Sequence, residues 1–219
     1  MTKQILKKDI LGENTLRAEE NRRMFADAGL FVVNVCGGPG AGKTTLISSL
    51  CSLLGPAVPV GVVEGDVALD IDTERLRDAG IKAVQINTMG GCHLTALQVC
   101  RGVSDLGMEN GIVFIENIGN LVCPASFDLG EACRIVVTGV PEGADKPYKY
   151  ITMFRSAHIA VLSKNDLSGA FGFDTEYFER GLRAVMPVCE WYKTSRDAAT
   201  AKPLADRLLG ARAEWSAGE

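Results

Sequence analysis

The segment that most narrows what this chain can fold into is GGPGAGKT (37–44), which matches the pattern G-x-x-x-x-G-K-[ST]. Its flanks matter as much as its letters. FVVNVC (31–36) before it reads as a buried strand, and the residues from about Lys43 to Leu53 read as a helix. In that setting the glycines let the backbone curl so that successive N–H groups point at a phosphate, and the helix dipole adds positive potential there. Lys43 is placed to reach β- and γ-phosphates, and the Thr44 hydroxyl to ligate Mg²⁺. Gly38, Gly40, Ala41, Gly42, Lys43, Thr44 and Thr45 are the expected contacts. A chance glycine turn accounts for the glycines, but not for strand, Lys-Thr pair and helix together.

The rest of the chain repeats this strand-then-helix grammar. A helix is predicted over about 11–28, with Leu16, Met24 and Phe25 among its few apolar positions and Gly29 as its stop. Strands follow at VPVGVVE (58–64), KAVQIN (82–87), GIVFIE (111–116), RIVVTGV (134–140) and HIAVLS (158–163). Helices are predicted around 73–78, 93–103, 148–156, 175–184 and 198–209, the last two flanking the short run 187–190. Near-continuous Val/Ile runs belong to strands buried on both faces. The expected fold is therefore an α/β P-loop nucleotide-binding fold with a doubly wound, mostly parallel sheet and its ligand loops at the carboxyl ends of the strands. At 219 residues, with no internal repeat or linker, one domain over 1–219 is the economical reading.

Composition excludes some functions. A net charge of −4 leaves no basic footprint for nucleic acid or an acidic membrane face. No apolar run approaches the roughly 20 residues that span a bilayer. MTKQILKKDI carries lysines without the apolar core of a signal peptide, so a cytoplasmic protein is expected. Seven cysteines are an odd number and argue against a disulfide framework. Cys36, Cys51, Cys100 and Cys189 sit in apolar surroundings that suit core packing, whereas Cys92 and Cys123 lie in loops after predicted strands.

Phosphoryl chemistry needs carboxylates at strand ends beside the loop. Glu64-Gly65-Asp66 ends one strand, with Asp70 and Asp72 soon after. Glu116-Asn117-Ile118-Gly119 ends another, where an acid and a glycine N–H would sense a γ-phosphate. Asp66, as a Mg²⁺ ligand, and Glu116 are the favoured acids. Asp72, directly before Thr73, serves equally well as a helix cap.

After HIAVLS comes Ser163-Lys164-Asn165-Asp166, at the place where guanine-specific P-loop proteins carry N-K-x-D. The carboxylate of Asp166 accepts from the guanine N1 and 2-amino groups, a pair adenine cannot offer. Lys164 and Asp166 are present, but Ser163 stands where the motif has Asn. An amide able to bond both base and phosphate loop is lost there.

NTMGGCHLTA (87–96) puts Cys92 and His93 between a strand and a helix, and NLVCPAS puts Cys123 just after the Glu116 segment. Thiolate and imidazole suit borderline-soft ions such as Zn²⁺ and Ni²⁺. Taken on spacing alone, packing or capping is the safer explanation of such residues. Three ligands would leave a site incomplete, and a symmetric pair of chains would supply six. His158, at the start of a strand, reads as structural.

Taken together, PGAGKTT (39–45), EGD (64–66), QINTMGGCHL (85–94), IENIGNLVCPASFDLGE (115–131) and EGADKPYKYITMF (142–154) resemble the HypB-type nickel-inserting maturation GTPases of hydrogenase assembly. These share the SIMIBI class of dimerising P-loop G domains with the urease nickel chaperone UreG. The resemblance runs from about Leu16 to Leu167. It implies a GTP-hydrolysing homodimer that alternates between GTP and GDP and works with maturation partner proteins and a recipient metalloenzyme. It also implies an interface site for Ni²⁺ or Zn²⁺ at Cys92, His93 and Cys123, Mg²⁺ at Thr44, a switch acid at Glu116, and Asp66 or Asp72 near Mg²⁺ or water. Nucleotide state would then gate the metal site.

The chain departs from that pattern at three places. Ser163 replaces Asn. Thr95 stands where an acid is common. MTKQILKKDILGENT lacks the cysteine-rich and histidine-rich stretches of some members, so nickel storage is not expected. Hydrolysis is expected to be slow, because no arginine finger is evident. Two other readings fit the motifs: a metal carrier that binds nucleotide without meaningful hydrolysis, and an ATPase or small-molecule kinase, against which Asp166 argues.

Overall fold

Seven strands build the centre of the molecule: β1 (Phe31–Gly37), β2 (Val60–Asp66), β3 (Lys82–Asn87), β4 (Ile112–Glu116), β5 (Cys133–Gly139), β6 (Ile159–Ser163) and β7 (Glu190–Lys193). The computed structural model describes residues 2–66, 71–188 and 190–218, with the side chains of residues 2–10, 66, 71, 72 and 75 outside the described set. Helices connect the strands: α1 (Thr2–Asp27), α2 (Lys43–Leu54), α3 (Ile71–Asp78), α4 (Ala96–Leu106), α5 (Lys146–Lys149), α6 (Ile151–Ser156), α7 (Thr175–Val185) and α8 (Lys202–Ala217).

The strand order is β3-β2-β4-β1-β5-β6-β7, and every pairing is parallel. Parallel neighbours need crossovers, and helices on both faces supply them. All seven residues of β1 are buried. Phe31, Val33 and Val35 join the core under α2 and α8, with Leu50, Phe114, Val137 and Leu204. The alternate residues face the other side, Val32 with α4 residues Val99 and Val103, and Cys36 with Phe154 and Phe178. This two-sided burial is why the strands read as unbroken apolar runs rather than alternating ones. Cys36, Cys51 and Cys133 are buried thiols, each pushed up to about 12 chiefly by burial. Cys100 is half-buried, and Cys189 lies outside the described residues. Among the described residues no helix is long and apolar enough to cross a membrane.

The structure corrects several expectations. α1 begins well before residue 11, and its Leu16 is 65% exposed. The helix docks through Phe25, buried as expected with Met24 beside it, and through buried Asn14 and Asn21, which hydrogen-bond the backbone at Ala96, Asp128 and Leu129. Polar anchors of this kind carry no apolar periodicity, so the pattern finds Met24 and Phe25 but not Asn14 and Asn21, and Leu16 alone is misplaced. Strand β2 lies two residues later than expected. The helix expected from His93 starts at Ala96, because Thr95 caps it: its hydroxyl accepts from the Gln98 N–H while the Gln98 side chain returns to the Thr95 N–H. The helix expected over 148–156 is broken at Tyr150, whose ψ of 47° is not helical. The last helix runs on to Ala217, and the short run after 187 becomes the edge strand β7.

Candidate functional site

The phosphate loop leaves the carboxyl end of β1, the strand between β4 and β5, and turns into α2. Gly40 and Gly42 have φ values of +69° and +92°, a region that side chains rarely adopt, which explains glycine at both positions. Gly42 leads directly into α2, whose first N–H groups have no partner within the helix. Lys43 is 7% exposed, and its ammonium donates to the Gly38 carbonyl at 3.3 Å. Thr45 is exposed beside it. Glu142 closes the loop from the far side and was not singled out from sequence. Its carboxylate accepts from the Gly139 N–H at 2.6 Å, and a Cβ at Gly38 would lie 2.5 Å from its Oε1.

Glu116 ends β4 level with Val35 of β1 and with Glu64 of β2. It is buried and accepts a hydrogen bond from the Thr44 hydroxyl at 2.8 Å, so the expected Mg²⁺ ligand and the expected switch acid are adjacent. Glu64, named only as part of a cluster, takes the hydroxyl of buried Thr73. The side chains of Asp66 and Asp72, and all of Asp70, lie outside the described residues. Gly119 rests on the phosphate loop: a Cβ there would lie 3.0 Å from the Pro39 Cα.

The segment expected to read the base leaves β6 on the other flank. Ser163, 5% exposed, donates its hydroxyl to the Ala41 carbonyl, and Lys164 donates to the Gly40 carbonyl at 2.7 Å. The serine therefore keeps a tie to the phosphate loop that its departure from the motif had put in question. A cavity of about 360 Å³ opens here, lined by Gly42, Thr45, Ser163, Lys164 and Asp166, with Thr194, Ser195 and Arg196 closing it. That volume lies in the range of small-molecule sites, and the cavity is continuous with the phosphate loop at Gly42 and Thr45. Sequence reasoning missed the Thr194–Arg196 wall. Its only signal was a Thr-Ser pair after a short apolar run. The wall is held in place by hydrogen bonds from Thr194 N–H to Leu162 and from Asn165 N–H to Thr194, both at 2.9 Å. A larger groove of about 990 Å³ runs between α2 and α3 and meets the phosphate loop only at Thr44 and Thr45.

Cys92, His93 and Cys123 come together from the loops after β3 and β4. Their ligand atoms all lie within 4.8 Å of one another. In a tetrahedral site, Zn–S and Zn–N bonds of about 2.3 and 2.0 Å set ligand atoms about 3.5–3.8 Å apart, so the widest separation in the trio would contract by up to about 1 Å around an ion. Cys92 is exposed, and the other two are half-buried. Hydrogen bonding with Cys123, then burial, pushes the Cys92 thiol up, while burial pushes the His93 imidazole down. Cys92 Sγ is 3.4 Å from His93 Nδ1. The His93 ring stacks on Phe127 with centroids 3.7 Å apart, a support that no sequence pattern announced. His158 is structural, as expected: its Nδ1 accepts from the Arg134 N–H at 2.9 Å.

A buried polar chain backs both sites. Asn117 donates to Asn34 at 3.2 Å, and Asn34 to Glu131 at 3.0 Å. Glu131 pairs with Arg134, whose guanidinium also donates to the Phe127 carbonyl at 2.9 Å.

Residues 31–192 match the family model described as "CobW/HypB/UreG, nucleotide-binding domain". The hydrogenase maturation factor HypB of Azotobacter chroococcum mcd 1 is 48% identical over 183 residues, covering 83% of this chain and 60% of that protein. The chain thus spans less than two thirds of the length of the first curated relatives it matches. Among solved structures, HypB from Helicobacter pylori in complex with nickel superposes with a TM-score of 0.87 at 34% identity, covering 92% of this chain and 96% of that one. HypB from Archaeoglobus fulgidus gives 0.86 at 35% identity, covering 92% and 99%.

Proposed function

The chain belongs to the CobW/HypB/UreG family of nucleotide-binding domains, and on that footing we propose that it is a slow GTPase that carries nickel to a metalloenzyme such as a [NiFe]-hydrogenase during its maturation. The observation that carries this reading is the Cys92, His93 and Cys123 cluster, built on the loops of β3 and β4 beside the Glu116 strand end. A nucleotide hydrolase has no need of two thiols and an imidazole there, whereas a carrier of a borderline-soft ion does.

In this reading Gly38, Gly40, Ala41, Gly42 and Thr45 cradle the phosphates and Lys43 reaches their oxygens. Thr44 and Asp66 hold Mg²⁺, which when bound neutralises charge on the β- and γ-phosphates. Glu116 and Asp72 orient the attacking water, and the Gly119 N–H senses the γ-phosphate. Lys164 and Asp166 read the guanine in the cavity completed by Thr194, Ser195 and Arg196. GTP and GDP would favour different geometries of a homodimer whose two chains share the Ni²⁺ or Zn²⁺ cargo, so hydrolysis gates release to partner proteins. One chain supplies three ligands, which leaves a fourth position open for the second chain or for the recipient.

The test is calorimetric titration of Ni²⁺ and Zn²⁺ into the chain in its apo, GDP and GTP-analogue states. About one metal per two chains is expected, with an affinity that differs between nucleotides. Absence of metal binding in every state, or a Cys92→Ala variant with unchanged affinity, would overturn the proposal. Single-turnover hydrolysis, with Lys43→Ala as the blank, separates a GTPase from a carrier that only binds nucleotide.

A further inference from the structure

Asn120 follows Gly119 in the segment that leaves β4, and it touches three parts of the site at once. Its backbone forms an isolated antiparallel bridge with Gly37, where β1 becomes the phosphate loop. Its side-chain amide spans the two metal loops: Nδ2 donates to the Cys92 carbonyl at 3.1 Å, and Oδ1 accepts from the Val122 N–H at 2.8 Å. Val122 immediately precedes Cys123. One half-buried residue is thus tied to the phosphate loop through its backbone, to one thiol residue directly, and to the other through its neighbour.

Within the proposed function, on which this inference rests, we infer that Asn120 is the positioning residue through which nucleotide state sets the relative placement of Cys92, His93 and Cys123. Coupling between two sites requires an element whose arrangement both ligands bias. The 118–120 segment meets that requirement. Gly119 lies against Pro39 of the phosphate loop, so a change in that loop when the nucleotide changes reaches the segment directly. A shift of Asn120 then moves the Cys92 carbonyl and the Val122 N–H, because the amide holds both. Metal bonds tolerate departures of about 0.2 Å, so displacements of a few tenths of an ångström change affinity. Asn117 adds a second tie on the same strand end, its Oδ1 accepting from the Leu94 N–H at 3.4 Å beside His93.

An amide suits this bridge for a specific reason. It donates at one end and accepts at the other, whereas carboxylate only accepts and alanine does neither. Asn120→Asp keeps an acceptor for Val122 and places it against the Cys92 carbonyl. Asn120→Ala releases both loops.

The test is Ni²⁺ affinity of the full chain in the GDP·Mg²⁺ and non-hydrolysable GTP analogue·Mg²⁺ states, for wild type and both variants. Far-UV circular dichroism checks folding, and GDP affinity without Ni²⁺ checks the phosphate loop. The readout is the ratio of the two Ni²⁺ affinities, which in wild type is expected in the ordinary coupling range of about 5- to 150-fold. Asn120→Ala should bring that ratio to within about twofold of one, with Asn120→Asp between. A folded Asn120→Ala protein that keeps the wild-type ratio overturns the inference, including the case where Ni²⁺ binding weakens equally in both states. A wild-type ratio of one would instead overturn the gating in the proposed function, and this inference with it. If Asn120→Ala fails to fold, the Asp variant decides by the same ratio.

Discussion

The hydroxyl of Ser163 donates to the carbonyl of Ala41, joining the end of β6 to the phosphate loop 122 residues earlier in the chain. A hydrogen bond of this kind contributes about 0.5–1.5 kcal/mol net. Ser163→Ala is therefore expected to lower unfolding stability by about 1 kcal/mol and to weaken GDP and GTP binding about fivefold in parallel. Urea denaturation and fluorescent-nucleotide titration measure the two effects. A stability loss without any change in nucleotide affinity would make this tie purely structural.

Asp166 lies in the cavity beside Lys164 and Arg196 and is exposed to an incoming base. In the proposed function its carboxylate accepts from the guanine N1–H and 2-amino group, whereas an amide in its place would donate to the 2-oxo group of xanthine. Asp166→Asn should weaken GTP by about 10- to 100-fold, the worth of hydrogen bonds to a charged group, and shift preference toward xanthosine triphosphate. Competition between the two nucleotides is the measurement. An unchanged GTP preference would mean that the base is read by the Thr194–Arg196 wall alone.

Glu131 and Arg134 form a buried ion pair, with Nε to Oε1 at 2.7 Å and both side chains under 10% exposed. Removing one partner strands the other charge, which costs about 3–5 kcal/mol. Arg134→Met should destabilise the chain by that amount, and Glu131→Gln added to it should recover part of the loss. Equal stability of the single and double variants, by chemical denaturation, would contradict this account. Because Arg134 also holds the Phe127 carbonyl under His93, the single variant should weaken metal binding as well.

Asp128 carries the pH dependence of α1 docking. Burial pushes its carboxyl up, but the Gly130 N–H and the Arg22 guanidinium, 2.9 Å away, outweigh burial and hold it below its ordinary value. A carboxyl depressed in the folded state binds fewer protons there than in the unfolded chain. Its contribution is present above the unfolded value of about 3.9 and is lost as pH falls through the folded one. Stability should therefore decline below about pH 4, and Asp128→Asn should flatten that decline while lowering stability at neutral pH. Urea midpoints across that range test the sign.

The parts of the site that were legible in the sequence are those written in one short segment. The glycines of the phosphate loop must adopt left-handed backbone at Gly40 and Gly42, and the strand before them must be apolar on both faces because helices cover both sides of the sheet. The Glu116 strand end and the Lys164–Asp166 segment are likewise local patterns, and so are Cys92 and His93 as neighbours. Boundaries were less legible. Thr95 keeps His93 out of α4 through a cap, and Leu16 faces solvent while Ala18, Asn21 and Phe25 take the buried face of α1.

Only the tertiary structure decided which segments meet. The order β3-β2-β4-β1 brings the loops after β3 and β4 together, so Cys123 joins Cys92 and His93, and Asn120 reaches the Cys92 carbonyl across 28 residues. Phe127 beneath His93, Glu142 against Gly38 and the Thr194–Arg196 wall arise in the same way, from loops distant in sequence that the sheet order brings together. A turn or a cap is fixed by the allowed backbone angles of a few adjacent residues and can be read one residue at a time. A contact between loops exists only after strand pairing and two-sided burial have set the sheet order, and no residue in either loop encodes that order alone.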